Sequence, residues 1–152
     1  MAFEIRIRLI IENENPGVLD FVQVERSLEI GAPDRTWRKG DRLELRSQRV
    51  RTNDGMLFNV FTGRDCDPTE EAWRFLQRLE ATGDAGSSIL RQHSGELSIV
   101  SRIYSQGDDE PMDHLGFHMT RAFIEKLHYF QLEFDLDQYV FPGESNAFRD
   151  DT

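Results

Sequence analysis

The sequence predicts an α+β domain, a two-layer sandwich in which a largely antiparallel sheet carries about three helices on one face. Three observations predict it. Runs of apolar residues at period two recur near residues 3–12, 56–61, 97–103 and 132–137. Apolar stripes at helical spacing separate them. The strands also come as hairpins mixed with single helices, not as a regular alternation of strand and helix.

Phe3, Ile5, Ile7, Leu9 and Ile11 alternate with Glu4, Arg6, Arg8, Ile10 and Glu12, the pattern of a half-buried strand. Asn15-Pro16 reads as a helix start, with Val18, Phe21, Val22, Glu25 and Leu28 at helical spacing and Gly31 and Pro33 closing the segment. A β-hairpin follows over about 42–62. Leu43 and Leu45 lie in its first arm, and Met56, Phe58 and Val60 alternate in its second. Asn53-Asp54-Gly55 reads as its turn, because these residues accept positive φ cheaply. The first arm is poor in apolar residues and belongs at a sheet edge.

Asp67-Pro68-Thr69-Glu70 opens the next helix, with Asp67 as cap and Glu70 placed as in a capping box. Ala72, Trp73, Phe75, Leu76 and Leu79 form its stripe, and one more helical turn falls at Ile89-Leu90. Leu97, Ile99, Ser101 and Ile103 mark a strand, 106–113 an acidic loop, and Leu115 to Met119 a short strand. Thr120 caps a helix carrying Phe123, Ile124, Leu127 and His128. Leu132, Phe134 and Leu136 then alternate with Glu133, Asp135 and Asp137 in a last strand. One domain is expected over 1–142, and a flexible acidic tail over 143–152.

At 152 residues the chain has one domain's length, with no internal repeat. No apolar run approaches the ~20 residues of a membrane-spanning helix. The first residues alternate charged and apolar side chains, unlike a secretory signal or transit peptide. Cys66 is the only cysteine, so no internal disulfide forms, and a soluble cytoplasmic protein is expected.

Net charge is −10, unevenly placed. Residues 1–103 hold 15 basic and 17 acidic side chains, and 104–152 hold 3 and 11. Such a chain is repelled by phosphate backbones, which argues against nucleic acid as a partner. Seven basic residues nevertheless fall between Arg35 and Arg51. They form either a solvated face whose arginines pair with the acidic C-terminal part, or a contact surface of complementary potential.

Two stretches are similar to a known family. Pro33-Asp34-Arg35-Thr36-Trp37-Arg38-Lys39-Gly40-Asp41 resembles the Pro-then-Lys-Gly-Asp signature of the bacterial domain of unknown function 4279 family, departing at Asp34, where serine or threonine is expected. Gly116-Phe117-His118-Met119-Thr120, the helix to about Leu127 and Phe134-Asp135-Leu136-Asp137-Gln138-Tyr139 resemble its closing helix and strand, and the Trp73 helix also has a counterpart. The likeness covers most of residues 3–140. The family has no established catalytic residues, so it implies none; small bacterial families of this general kind include immunity proteins.

The chemistry-bearing clusters each have a structural account beside the functional one. In the Trp37–Asp41 loop, Arg38 and Lys39 suit an anionic ligand, while Gly40, Asp41 and Trp37 equally suit a turn entering a sheet. His114 and His118 are four apart, but on a strand that places them about 13 Å from each other, too far for one zinc. Asp65, Asp67, Glu70 and Glu71 follow no calcium-loop spacing and fit helix capping. Cys66 lies between two aspartates, which disfavour a thiolate, and no serine has a nucleophile's context.

The reading is therefore a non-enzymatic protein-binding module without cofactor or metal, an immunity or regulatory protein that neutralises a partner such as a basic toxin. Its acidic contacts would be Asp108, Asp109, Glu110, Glu133, Asp135 and Asp137; Arg35, Trp37, Arg38, Lys39 and Asp41 form the second candidate surface. The alternative is a small ligand-binding domain or hydrolase using the Trp37–Asp41 loop or the Glu133, Asp135 and Asp137 stripe.

Overall fold

The alternation at the N-terminus builds the middle of the sheet. In the computed structural model, which describes residues 2–43, 48–105 and 116–142, β1 (Ala2–Asn13) is the central strand. It is followed by α1 (Phe21–Leu28), β2 (Arg35–Trp37), β3 (Asp54–Arg64), α2 (Pro68–Ala81), α3 (Asp84–Arg91), β4 (Ser94–Ser105), α4 (Arg121–Phe130) and β5 (Leu132–Pro142). The strand order is β2-β3-β1-β4-β5. Every pairing is antiparallel except β4 with β5, which run parallel. Parallel neighbours need a crossover connection, and α4 lies in it.

Period two sorts the side chains. Ile5, Ile7, Leu9 and Ile11 of β1, with Met56, Phe58, Leu97 and Ile99 of its neighbours, are buried together with the stripes of all four helices. Val24 and Leu28, Phe75, Leu76 and Leu79, Ile89 and Leu90, and Phe123, Leu127 and Phe130 supply the helical layer. Burying one such side chain contributes roughly 1.5–3 kcal/mol, so this layer carries most of the stability. The opposite face of the sheet has no helix among the described residues.

The α+β sandwich is as the patterns predict, with four helices among the described residues in place of about three: the turn expected at Ile89-Leu90 is the end of the eight-residue α3. Other details differ. The first helix starts at Phe21, not Pro16, because Asp20 caps it by accepting from the backbone N–H of Val22 and Gln23. Residues 14–18 form a turn in which Asn15 N–H donates to the Asn13 side chain, and Val18 N–H to the Asn15 carbonyl. At α2 Asp67 caps as expected, but Glu70 engages Arg74 one turn on instead of closing a capping box.

The hairpin expected over 42–62 is different as well. Asp54 and Gly55 are not a turn but the first residues of β3, whose antiparallel partner is Arg35–Trp37. Arg42 and Val50 form only an isolated bridge, and Leu45 lies outside the described residues. The arm expected at the edge forms no strand among the described residues, and the edge beside β3 is taken by β2 instead. Gly116–Met119 is irregular, not a strand, and Phe117 instead packs on Phe123 and Phe134 with ring centroids 5.4 and 5.1 Å away. The acidic loop at 106–113, His114 and the tail at 143–152 lie outside the described residues. Among the described residues no helix is long and apolar enough to cross a membrane.

Candidate functional site

The helix-free face is the other half of the β1 alternation. Register places Arg64, Glu4, Arg102 and Tyr139 in one row across β3, β1, β4 and β5, and Thr62, Arg6, Val100 and Asp137 in the next. Below them come Asn59, Arg8, Ser98 and Asp135, then Leu57, Ile10, Glu96 and Glu133. The arginines thus gather toward one end, where Glu4 and Asp137 accompany them, while Glu96 and Glu133 share a row without an arginine at the other.

At the acidic end Glu12, Glu96, Glu133 and Asp135 meet. Burial raises the Glu96 carboxyl above the ordinary glutamate range, and the charges of Asp135, Glu133 and Glu12 push it in the same direction against the pull of Arg8. Among the described residues none of Glu96, Glu133 and Asp135 has an ion-paired cation. A small depression of about 70 Å³ lies beside Glu12, Glu96 and Glu133. Among the described residues no three His, Cys, Asp or Glu side chains converge to hold a metal ion.

At the other end Arg6, Arg8 and Arg102 line a concavity of about 330 Å³, with Glu4 and Asp137 as its acids and Tyr139 and Phe141 as an aromatic wall. Arg8 Nη2 donates to Ser98 Oγ at 3.3 Å, and Arg8 Nε is buried with no acceptor among the described residues.

The Trp37–Asp41 loop sits on the opposite edge. Trp37 ends β2 and lies over Gly55, where a Cβ would stand 2.1 Å from Cζ2 of the ring. Arg51 stacks on that ring at 4.2 Å, and the indole N–H donates to Asn53, whose amide donates in turn to Glu12. Arg38 Nη1 donates to Asp54 Oδ2 and to the Leu19 carbonyl, each at 2.9 Å, with its guanidinium 3.8 Å over Phe21. Asp54 is 1% exposed and also accepts from the backbone N–H of Lys39 and Gly17. Those two hydrogen bonds, with the Arg38 guanidinium, hold its carboxyl below the ordinary aspartate range against the opposing effect of burial. Asp41 accepts from Arg38 N–H at 2.7 Å, and Gly40 takes a φ of 93°. The side chains of Arg35 and Lys39 are left exposed.

The candidate residues therefore fall in separate places. Glu133, Asp135 and Asp137 share one face of β5, whereas Arg35 to Asp41 lie along and beyond β2, four inter-strand spacings or about 19 Å away. The described basic residues of the loop do not pair with the β5 stripe. Asp108, Asp109 and Glu110 lie outside the described residues. Arg6, Arg8, Glu12, Glu96 and Arg102 are the residues that sequence reasoning did not single out. Their signal was present in the even positions of β1 and β4, which share the helix-free face.

No curated protein and no solved structure gives a significant match to the chain. Residues 3–141 match the family described as domain of unknown function (DUF4279), nearly the whole of the sheet and its helices. The chain belongs to the DUF4279 family.

Proposed function

We propose that this protein is a non-enzymatic binding module of bacterial cytoplasm that neutralises a basic protein partner through the acidic end of its helix-free sheet face, as an immunity or regulatory protein does. The observation that carries the reading is the grouping of Glu96, Glu133 and Asp135 without ion-paired cations among the described residues. Like charges held together weaken the fold that holds them, and a cationic partner relieves that repulsion on docking. The net charge of −10 adds a long-range attraction for a basic protein. A hydrolase built on Glu133 has less support, because the depression beside Glu96 and Glu133 measures only about 70 Å³, and Asp137 lines a separate concavity.

The test begins with the protein that co-purifies from the native host or is encoded beside it. In stopped-flow mixing with that partner, Glu133→Lys with Asp135→Lys is expected to slow association by about tenfold at low salt and to flatten its salt dependence. Association that keeps both its rate and its salt slope overturns the reading.

A further inference from the structure

Partner docking at the acidic end leaves the arginine end of the same face unused. Arg6 and Arg8 are two residues apart on β1, hence on one face with Cα atoms about 6.7 Å apart. Among the described residues neither has a carboxylate at ion-pair distance, although Glu4 lines the same cleft and Arg8 attracts Glu96 from farther away. Asp137 shares the row of Arg6, but Val100 stands between them, and among the described residues Arg6 has no ion pair. Arg8 has only the Ser98 hydroxyl, with its buried Nε unsatisfied among the described residues. A buried guanidinium nitrogen without an acceptor is poorly solvated, and an arriving oxyanion improves it.

The rest of the concavity is built for something larger than an inorganic ion. Its volume of about 330 Å³ is within the range of small-molecule sites. Val100 lies between Arg6 and Asp137, and the far wall is made by Tyr139 and Phe141, which are 49% and 43% exposed. Phe141 is not loose, since its ring stacks on Tyr104 at 5.4 Å and 20°. Cations on one side and exposed rings on the other match an amphipathic anion.

We propose that this cleft binds a small organic anion, with a carboxylate or phosphate group held by Arg6 and Arg8 and a flat apolar body lying between Val100 and the Tyr139 and Phe141 rings. Arginine forks suit either oxyanion, because both present paired acceptor oxygens. Asp137 sets a limit at the far rim, disfavouring ligands with a second negative charge at the ring end. None of Glu12, Glu96, Glu133 and Asp135 lines the cleft, so its occupancy and the docking of a basic protein are separately testable.

The experiment is an amide-shift titration of the full ¹⁵N-labelled chain with phenyl phosphate, benzoate and inorganic phosphate at low salt. Saturable shifts at Arg6, Arg8, Val100 and Tyr139 are expected with at least one ring-bearing anion, and which one binds identifies the oxyanion. Inorganic phosphate is expected to bind several-fold more weakly, since it leaves the rings uncovered. Arg6→Gln is expected to weaken binding about tenfold or more, whereas Lys39→Gln at the opposite edge leaves it unchanged. The wild-type shift map stands by itself if the Arg6 variant misfolds. Absence of saturation by either ring-bearing anion at about 10 mM, shifts confined to other parts of the sheet, equal affinity for inorganic phosphate, or full affinity in folded Arg6→Gln overturns the proposal.

Discussion

The two charged margins of the sheet are built on opposite plans. Beside β2, Asp54 gathers two backbone N–H groups and the Arg38 guanidinium, Asp41 caps the same turn, and the Arg51 guanidinium lies over the Trp37 ring. Toward β5, Glu96, Glu133 and Asp135 stand together without an ion-paired cation among the described residues. The consequence shows in the acids themselves. Asp54 is held below its ordinary range and Glu96 above. Charge density alone does not separate a surface that holds the fold together from one available to a partner. What separates them is whether each charge already has its counterpart inside the molecule.

The largest test of this comparison is at Asp54. Asp54→Ala leaves the Lys39 and Gly17 N–H groups without their acceptor and frees Arg38. A loss of about 3 kcal/mol in urea-unfolding stability is expected near neutral pH. Because the folded Asp54 carboxyl is depressed, its contribution is complete above the ordinary aspartate range and disappears as pH falls through the folded value. The variant and the parent should therefore draw closer in acid. A variant as stable as the parent would show that the loop does not depend on this carboxylate.

Next comes Gly55→Ala. The added methyl would fall within the Trp37 indole, so the ring must leave the sheet and Arg51 loses its platform. About 2 kcal/mol of destabilisation is expected, with a shift of tryptophan emission toward that of a more hydrated ring. Unchanged stability and emission would mean that the ring does not rest there.

This glycine also explains where the sequence misled. Asn53-Asp54-Gly55 has turn chemistry, yet Gly55 is required by a ring eighteen residues earlier, and Asp54 by backbone groups at 17 and 39. No local pattern carries such distant demands. The strand pairing of Arg35–Trp37 was hidden for the same reason, since three residues give no period to read. By contrast β1, α2, β4 and β5 were legible, because an apolar stripe follows directly from facing one helical layer. Phe117 lies between these cases. Its flanking residues resemble a strand, but the Phe123 and Phe134 rings fix it without any ladder. The arginine cleft was legible in part: alternation places Arg6 and Arg8 together, while the parallel β4–β5 register that brings Tyr139 beside Arg102 is a tertiary fact.

The smallest effect sharpens the comparison most, because its sign is opposite to that at Asp54. Folded Glu96 holds its proton more tightly than the unfolded chain does, as burial and the neighbouring carboxylates raise its carboxyl. Stability therefore falls as pH rises from the ordinary glutamate range through the raised value, and the penalty is complete above it. Glu96→Gln keeps the shape of the side chain and removes the charge. A gain of about 0.5 kcal/mol is expected near neutral pH, shrinking toward zero below the ordinary glutamate range, where both states of the parent are protonated. A gain of equal size at both pH values would place its origin in packing, and the carboxylate group would then lose its standing as a site of stored repulsion. If the gain follows pH as described, a basic partner that covers Glu96 should release a proton on binding in that same window, measurable as a buffer-dependent heat in calorimetry.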